Sequence, residues 1–103
     1  MSFNTVKTPF RILLTGINIT TGAASVSAAI PVNTANVAAK YVVVSCTVAA
    51  RVRVGKSGVT ALATDLLINP NGGPVILDVS GCTHIAAIQD TGAGVVSVCP
   101  MEW

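Results

Sequence analysis

The chain has 103 residues, of which 51% are hydrophobic and only 10% charged, with a formal net charge of +2. That length suits one compact domain with a single core and excludes two ordinary ones. An ordinary soluble domain carries about a quarter charged residues, so this chain must cover itself with Thr, Ser, Asn and Gly or hide surface in an assembly. Obligate interfaces are poor in charge, and a homo-oligomer is the expectation.

The totals exclude other classes. Arg51, Arg53 and Lys56 form the one basic cluster, with no aromatic residues among them. Direct nucleic-acid recognition needs a denser patch or stacking rings. No apolar run approaches the roughly 18–20 residues of a membrane span. Met1 leads into Ser2, Asn4 and Lys7-Thr8-Pro9, not an apolar export signal. The hydropathy is spread over short strands, and a soluble protein is expected. Cys46, Cys82 and Cys99 are odd in number and widely spaced, as reduced thiols made in a cytosol would be.

In chain order, residues 1–10 read as an N-terminal arm, with Pro9 holding Thr8 extended. Residues 11–100 read as the folded domain. Arg11–Thr15 is a strand, interrupted by Gly16. Ile17–Thr20 alternates apolar and polar as a half-buried strand does. Thr21-Gly22 is a turn. Ala23–Ile30 is small and apolar; the alternation of Ser25 and Ser27 with Val26 and Ala28 favours a strand over a helix. Residues 31–39 are a connection punctuated by Pro31, Asn33 and Asn36.

The central stretch is Tyr41–Lys56. Its β-branched opening, Tyr41–Val44, predicts a strand buried on both faces or nearly so. Its close, Arg51–Val54, predicts valines inward and arginines outward. The two halves are either one long bent strand or two strands around a bulge. Gly55-Lys56-Ser57-Gly58 signals a hairpin that pairs Arg51–Val54 with Val59–Ala61. Asp65–Ile68 is a short strand or a loop. Asn69–Pro74 is the most emphatic turn. Val75–Val79 is a strand, Ser80-Gly81 a turn and His84–Gln89 a strand. Asp90–Gly94 is read as a hairpin turn and Val95–Cys99 as the closing strand, stopped by Pro100. Residues 101–103 are a C-terminal tail. Many short strands between Gly, Pro and Asn turns predict an all-β, single-domain antiparallel sandwich or barrel, jelly-roll or Ig-like.

Candidate chemistry is sparse. Gly55-Lys56-Ser57 resembles the end of a phosphate-binding loop, but the first glycine of that motif would fall at Ala50, and a strand precedes it. Cys82 and His84 are two apart and would share a strand face; with Cys46 and Cys99 they would make a zinc set, yet no paired-cysteine knuckle exists. No metal or cofactor is expected. His84 with Cys82, and Asp78 or Asp90 as the acid, would be a nucleophile and its base, but no glycine-flanked nucleophile or oxyanion loop accompanies them. A non-enzyme is the expectation. Asn18-Ile19-Thr20 is a glycosylation sequon that, without an export signal, reads as chance. Arg51 and Arg53 suit either a solvated strand face or a carboxylate on a neighbouring subunit. Phe3, Phe10 and Trp103 supply nearly all the aromatics and suit either interface anchors or caps on the core.

Three stretches carry a family resemblance: Asn71–Val75, Ser80–Ile88 and Gly94–Trp103, with the segment Arg53-Val54-Gly55-Lys56-Ser57-Gly58-Val59-Thr60-Ala61 before them. From Arg51 onward the chain resembles small structural virion proteins of tailed bacteriophages. The resemblance implies a non-enzymatic β-sandwich present in many copies on a virion assembled in the host cytoplasm. The first expectation is a head decoration or cement subunit that binds the major capsid protein or other virion proteins. The second is a tail or head-tail connector component. From a different class stands a small ligand- or carbohydrate-binding sandwich, which would stack sugars on exposed aromatics.

Overall fold

The computed structural model describes residues 16–32 and 39–101. The arm, the Arg11–Thr15 strand, and Phe3, Phe10 and Trp103 lie outside the described residues.

Among the described residues, eight strands form two antiparallel four-stranded sheets. They are β1 (Ile17–Thr20), β2 (Val26–Ala29), β3 (Tyr41–Cys46), β4 (Ala50–Gly55), β5 (Leu66–Ile68), β6 (Val75–Asp78), β7 (His84–Gln89) and β8 (Val95–Pro100). Sheet 1 has the order β1-β8-β3-β6 and sheet 2 the order β2-β7-β4-β5. The pairs are nested: β1 with β8, β2 with β7, β3 with β6 and β4 with β5. This is the pattern of one long hairpin rolled up on itself, the jelly-roll. The all-β sandwich predicted from the turn spacing is therefore what the chain forms.

Alternation builds the core. Val42 and Val44 on β3 and Val96 and Val98 on β8 point inward and are fully buried, as are Ala50, Ile68, Ile85 and Ala87 from sheet 2. They meet in one cluster with Ile19, Val52 and Val79. Each fully buried Val or Ile side chain contributes about 1.5–3 kcal/mol of transfer free energy. The Tyr41–Val44 run is not buried on both faces. Tyr41 is 41% exposed and Val43 half-buried, because nothing among the described residues packs a third layer on sheet 1.

Three turn expectations need correcting, and for one reason. Turn chemistry announces that the chain reverses but not which sheet it re-enters. β3 and β4 are neither one bent strand nor neighbours; Thr47–Ala49 carries the chain from sheet 1 to sheet 2. Asp90–Gly94 is likewise a crossing between sheets, not a hairpin. Among the described residues the one hairpin within a sheet is β4–β5, and its second strand is Leu66–Ile68, with Ala50 opposite Ile68, instead of Val59–Ala61.

Pro100 does not stop β8. It pairs with Val42, and Met101 continues with its N–H donating to Tyr41 O at 3.0 Å. Successive N–H groups point to opposite sides of a strand, so the ring nitrogen of Pro100 points away from β3. The ladder to β3 therefore loses no bond to the proline. Met101 is 7% exposed, so the sandwich reaches at least one residue into the predicted tail.

One end of the sandwich is tied together by threonines. The buried Thr21 exchanges two side-chain hydrogen bonds with the backbone of Gly94, at 3.1 and 2.9 Å. Thr47 Oγ1 accepts from Val95 N–H at 2.9 Å. At Gly16, an added Cβ would lie 2.5 Å from Val98 O and 2.6 Å from Cys99 Sγ, while at Gly22 it would meet nothing within 4 Å. Gly16→Ala is therefore expected to cost about 1–3 kcal/mol by overpacking, and Gly22→Ala to stay within about 0.5 kcal/mol of wild type. Urea midpoints of the two variants check this.

Candidate interface

The two outer faces differ in charge. On sheet 2, β4 turns Arg51 and Arg53 outward while Val52 and Val54 pack inward, as the alternation predicted. Both arginines meet carboxylates of their own chain. Arg53 donates from Nε and Nη2 to Asp65 Oδ1 at 3.0 and 2.7 Å. Arg51 donates from Nε to Asp90 Oδ1 at 3.3 Å and from Nη1 to Asp65 O at 3.1 Å. The Arg53 side chain keeps 46% exposure and that of Arg51 27%. Within the chain, then, Arg51 pairs with Asp90 and Arg53 with Asp65.

Sequence reasoning missed the role of Asp65, which it placed at the head of a short strand or loop. The signal was readable only with the register in hand. Arg51 faces Leu67 and Val52 faces Leu66, so one step further sets Asp65 opposite Arg53, a cross-strand pair of opposite charge. Asp65 Oδ2 also accepts Leu62 N–H at 2.7 Å. The Arg53 guanidinium first, and the Leu62 N–H next, hold the Asp65 carboxyl below the usual carboxylate range. The Ser80 N–H does the same for Asp78, donating to Oδ1 at 2.9 Å and closing the turn after β6.

On sheet 1 the outward positions carry Asn18 and Thr20 on β1, Val95, Ser97 and Cys99 on β8, Tyr41, Val43 and Ser45 on β3, and Ile76 and Asp78 on β6. Asp78 is the one charged residue among them. Val43 stands between Cys99 and Ile76, which makes an apolar row across the sheet. Ile76 is 51% exposed. β5 and β6 each end their sheet on the described residues, and Leu66 and Leu67 on β5 are 49% and 39% exposed.

The candidate catalytic and metal residues do not converge. Cys82 packs against the core, whereas His84 stands on the outer side of β7 opposite Gly55, its Nδ1 2.8 Å from Thr83 Oγ1. The shared face expected for them fails because Cys82 precedes the strand. Asp78 and Asp90, the two proposed acids, are engaged with Ser80 and Arg51. Cys46 Sγ donates to Ile68 O at 3.4 Å, and burial pushes its thiol up. Among the described residues no three His, Cys, Asp or Glu side chains are grouped to hold a metal ion. Gly55–Gly58 is an exposed turn closed by Val59 N–H on Lys56 O at 3.1 Å. Asn18 of the sequon is exposed, opposite Ser97. No helix among the described residues is long and apolar enough to cross a membrane.

Comparison with protein families, curated proteins and solved structures finds no match to the chain.

The two depressed carboxyls set a pH dependence. A group with a folded pKa below its unfolded value of about 4 stabilises the fold above that value, and its contribution is lost as pH falls through the folded pKa. Melting temperature is therefore expected to fall on acidification below about pH 4. In the Asp65→Asn, Asp78→Asn double variant the fall should be shallower, starting from a lower plateau at neutral pH. Thermal melts from pH 7 to pH 2 check both features.

Proposed function

We propose that the chain is a non-enzymatic structural virion protein, a head decoration or cement subunit that binds and stabilises the shell of a tailed bacteriophage. In this reading it is made in the host cytoplasm, acts as a homo-oligomer, and contacts the major capsid protein or another virion protein. The observation that carries the reading is the unequal charge of the two outer faces. Sheet 2 holds its charges in internal pairs. Among the described strand positions, the outer face of sheet 1 offers hydroxyl, amide and apolar side chains with Asp78 as the one charge, and Lys40 just before β3 acts on that carboxylate. Such a face costs little to desolvate, since few of its groups are ions that must leave water. An exposed apolar residue beside an edge strand gives a partner both a hydrophobic anchor and backbone groups to bond.

The jelly-roll order supports the reading by analogy, since viral capsid subunits use it; lectin domains and cupins use it too. The carbohydrate-binding alternative rests on exposed aromatic rings, and Tyr41 is the one aromatic residue among those described. A tail or connector role would use the same surfaces and differ in the particle bound.

Co-sedimentation with undecorated heads and with isolated tails of the encoding phage tests the proposal. Heads are expected to carry the protein down. Ile76→Lys is expected to weaken attachment by about thirtyfold, the effect of losing a ~2 kcal/mol anchor, with the melting temperature of the free subunit unchanged. Binding to tails alone would support the connector role, and binding to neither particle would overturn the virion assignment.

A further inference from the structure

The segment between β4 and β5, residues 56–65, crosses the outer face of sheet 2. Two small side chains mark its course: Ala61, 1% exposed, and Ala86, 0% exposed. Neither belongs to the core cluster. Ala86 lies on the outer side of β7, between Arg53 and Ser27 in the register, so the opposite sheet is not what covers it. The segment passes there. Val59 lies over Gly55, where an added Cβ would sit 3.0 Å from its methyl group. Ala61 N–H donates to Ser25 Oγ at 2.9 Å, just before β2.

Among the described residues, every hydrogen bond that joins this segment to the sandwich uses a side chain. Ser25 makes one, and Arg51 and Arg53 make the rest, all on Asp65. The backbone bonds are local, Val59 N–H to Lys56 O and Asp65 N–H to Leu62 O. A segment with few buried side chains and no ladder of its own belongs to the low-stability end of a molecule.

The geometry points to residues 56–65 being a strap that opens as a unit, latched by the Asp65 carboxylate. Oδ1 holds the strap to β4 through Arg53, and Oδ2 holds its last turn shut through Leu62 N–H. Opening uncovers Ala86 and frees the Arg53 guanidinium. A neutral, covered surface becomes an apolar strip beside an unpaired cation. The charged and titratable groups around the latch are Arg53 and Arg51 on β4, Asp90 through Arg51, Lys56 at the far end of the strap, and His84 opposite Gly55 on β7. Protonating Asp65 removes its charge from the Arg53 pair, so acid favours the open form. The inference does not rest on the virion assignment.

Amide hydrogen exchange on the full chain tests it. Ala61 is the telling probe, because its amide is bound to Ser25 and not to Asp65. In the wild type at neutral pH, Ala61 and Leu62 are expected to exchange faster than the core amides of Val44 and Val98. In Asp65→Asn the protection of Ala61 should fall by about tenfold, the scale of a lost charge-assisted hydrogen bond, with Val44 and Val98 unchanged. Ser25→Ala, which leaves the carboxylate intact, should loosen Leu62 in turn. Exchange of Ala61 in step with Val44 and Val98 in the wild type, or unchanged Ala61 protection in Asp65→Asn, would overturn the strap.

Discussion

The ladder between β3 and β8 is the constraint on which the rest of the molecule depends. It sets Val42 against Pro100 and Val44 against Val98, joining the middle of the chain to its far end. β8 then carries β1, and β3 carries β6. Because the side-chain period of a strand is two, a one-residue slip in this ladder would send Val96 and Val98 to the outer face and Ser97 into the core. The valines that fill the core therefore also fix the register. Pairs so distant along the chain form late and at an entropic cost, and β4–β5 is the local hairpin available to form early.

The sequence disclosed strands better than neighbours. Period-two alternation located β1 and β4 within a residue, because a half-buried strand leaves that trace wherever it lies, and the turns around them located β6, β7 and β8 equally well. The Asn69–Pro74 turn was equally clear, since Asn69 caps a short 3₁₀ turn through Asn71 N–H and Gly73 takes φ +79°. Sheet membership left no local trace. Thr47-Val48-Ala49 carries no turn signal and Asp90–Gly94 an ordinary one, and only the packing of inner faces decides that each crosses between sheets. Asp65 was hidden for the same reason. Its meaning lies in standing opposite Arg53, and that position exists only once the hairpin's long intervening segment is laid across sheet 2. The arginines were legible as outward residues; their partners were not.

The charge deficit gains meaning when placed on the fold. Arg51, Arg53, Asp65 and Asp90 gather on one face and satisfy one another. Their value lies in holding a long segment flat on the sheet. Among the described residues the opposite face goes nearly without charge and exposes Tyr41 and Ile76, while Leu62, Leu66 and Leu67 stand exposed on the strap and the β5 edge of sheet 2. A chain with so few charges has little to keep its copies apart in water. An assembling subunit meets that condition by covering the apolar side, and the virion proposal names what would cover it.

Self-association is the central claim, and sedimentation of the purified chain over a wide concentration range tests it most directly. The account predicts a mass that is a multiple of the 10.4 kDa chain, or one that climbs steadily with concentration. A mass fixed at that of the single chain at every concentration would contradict it.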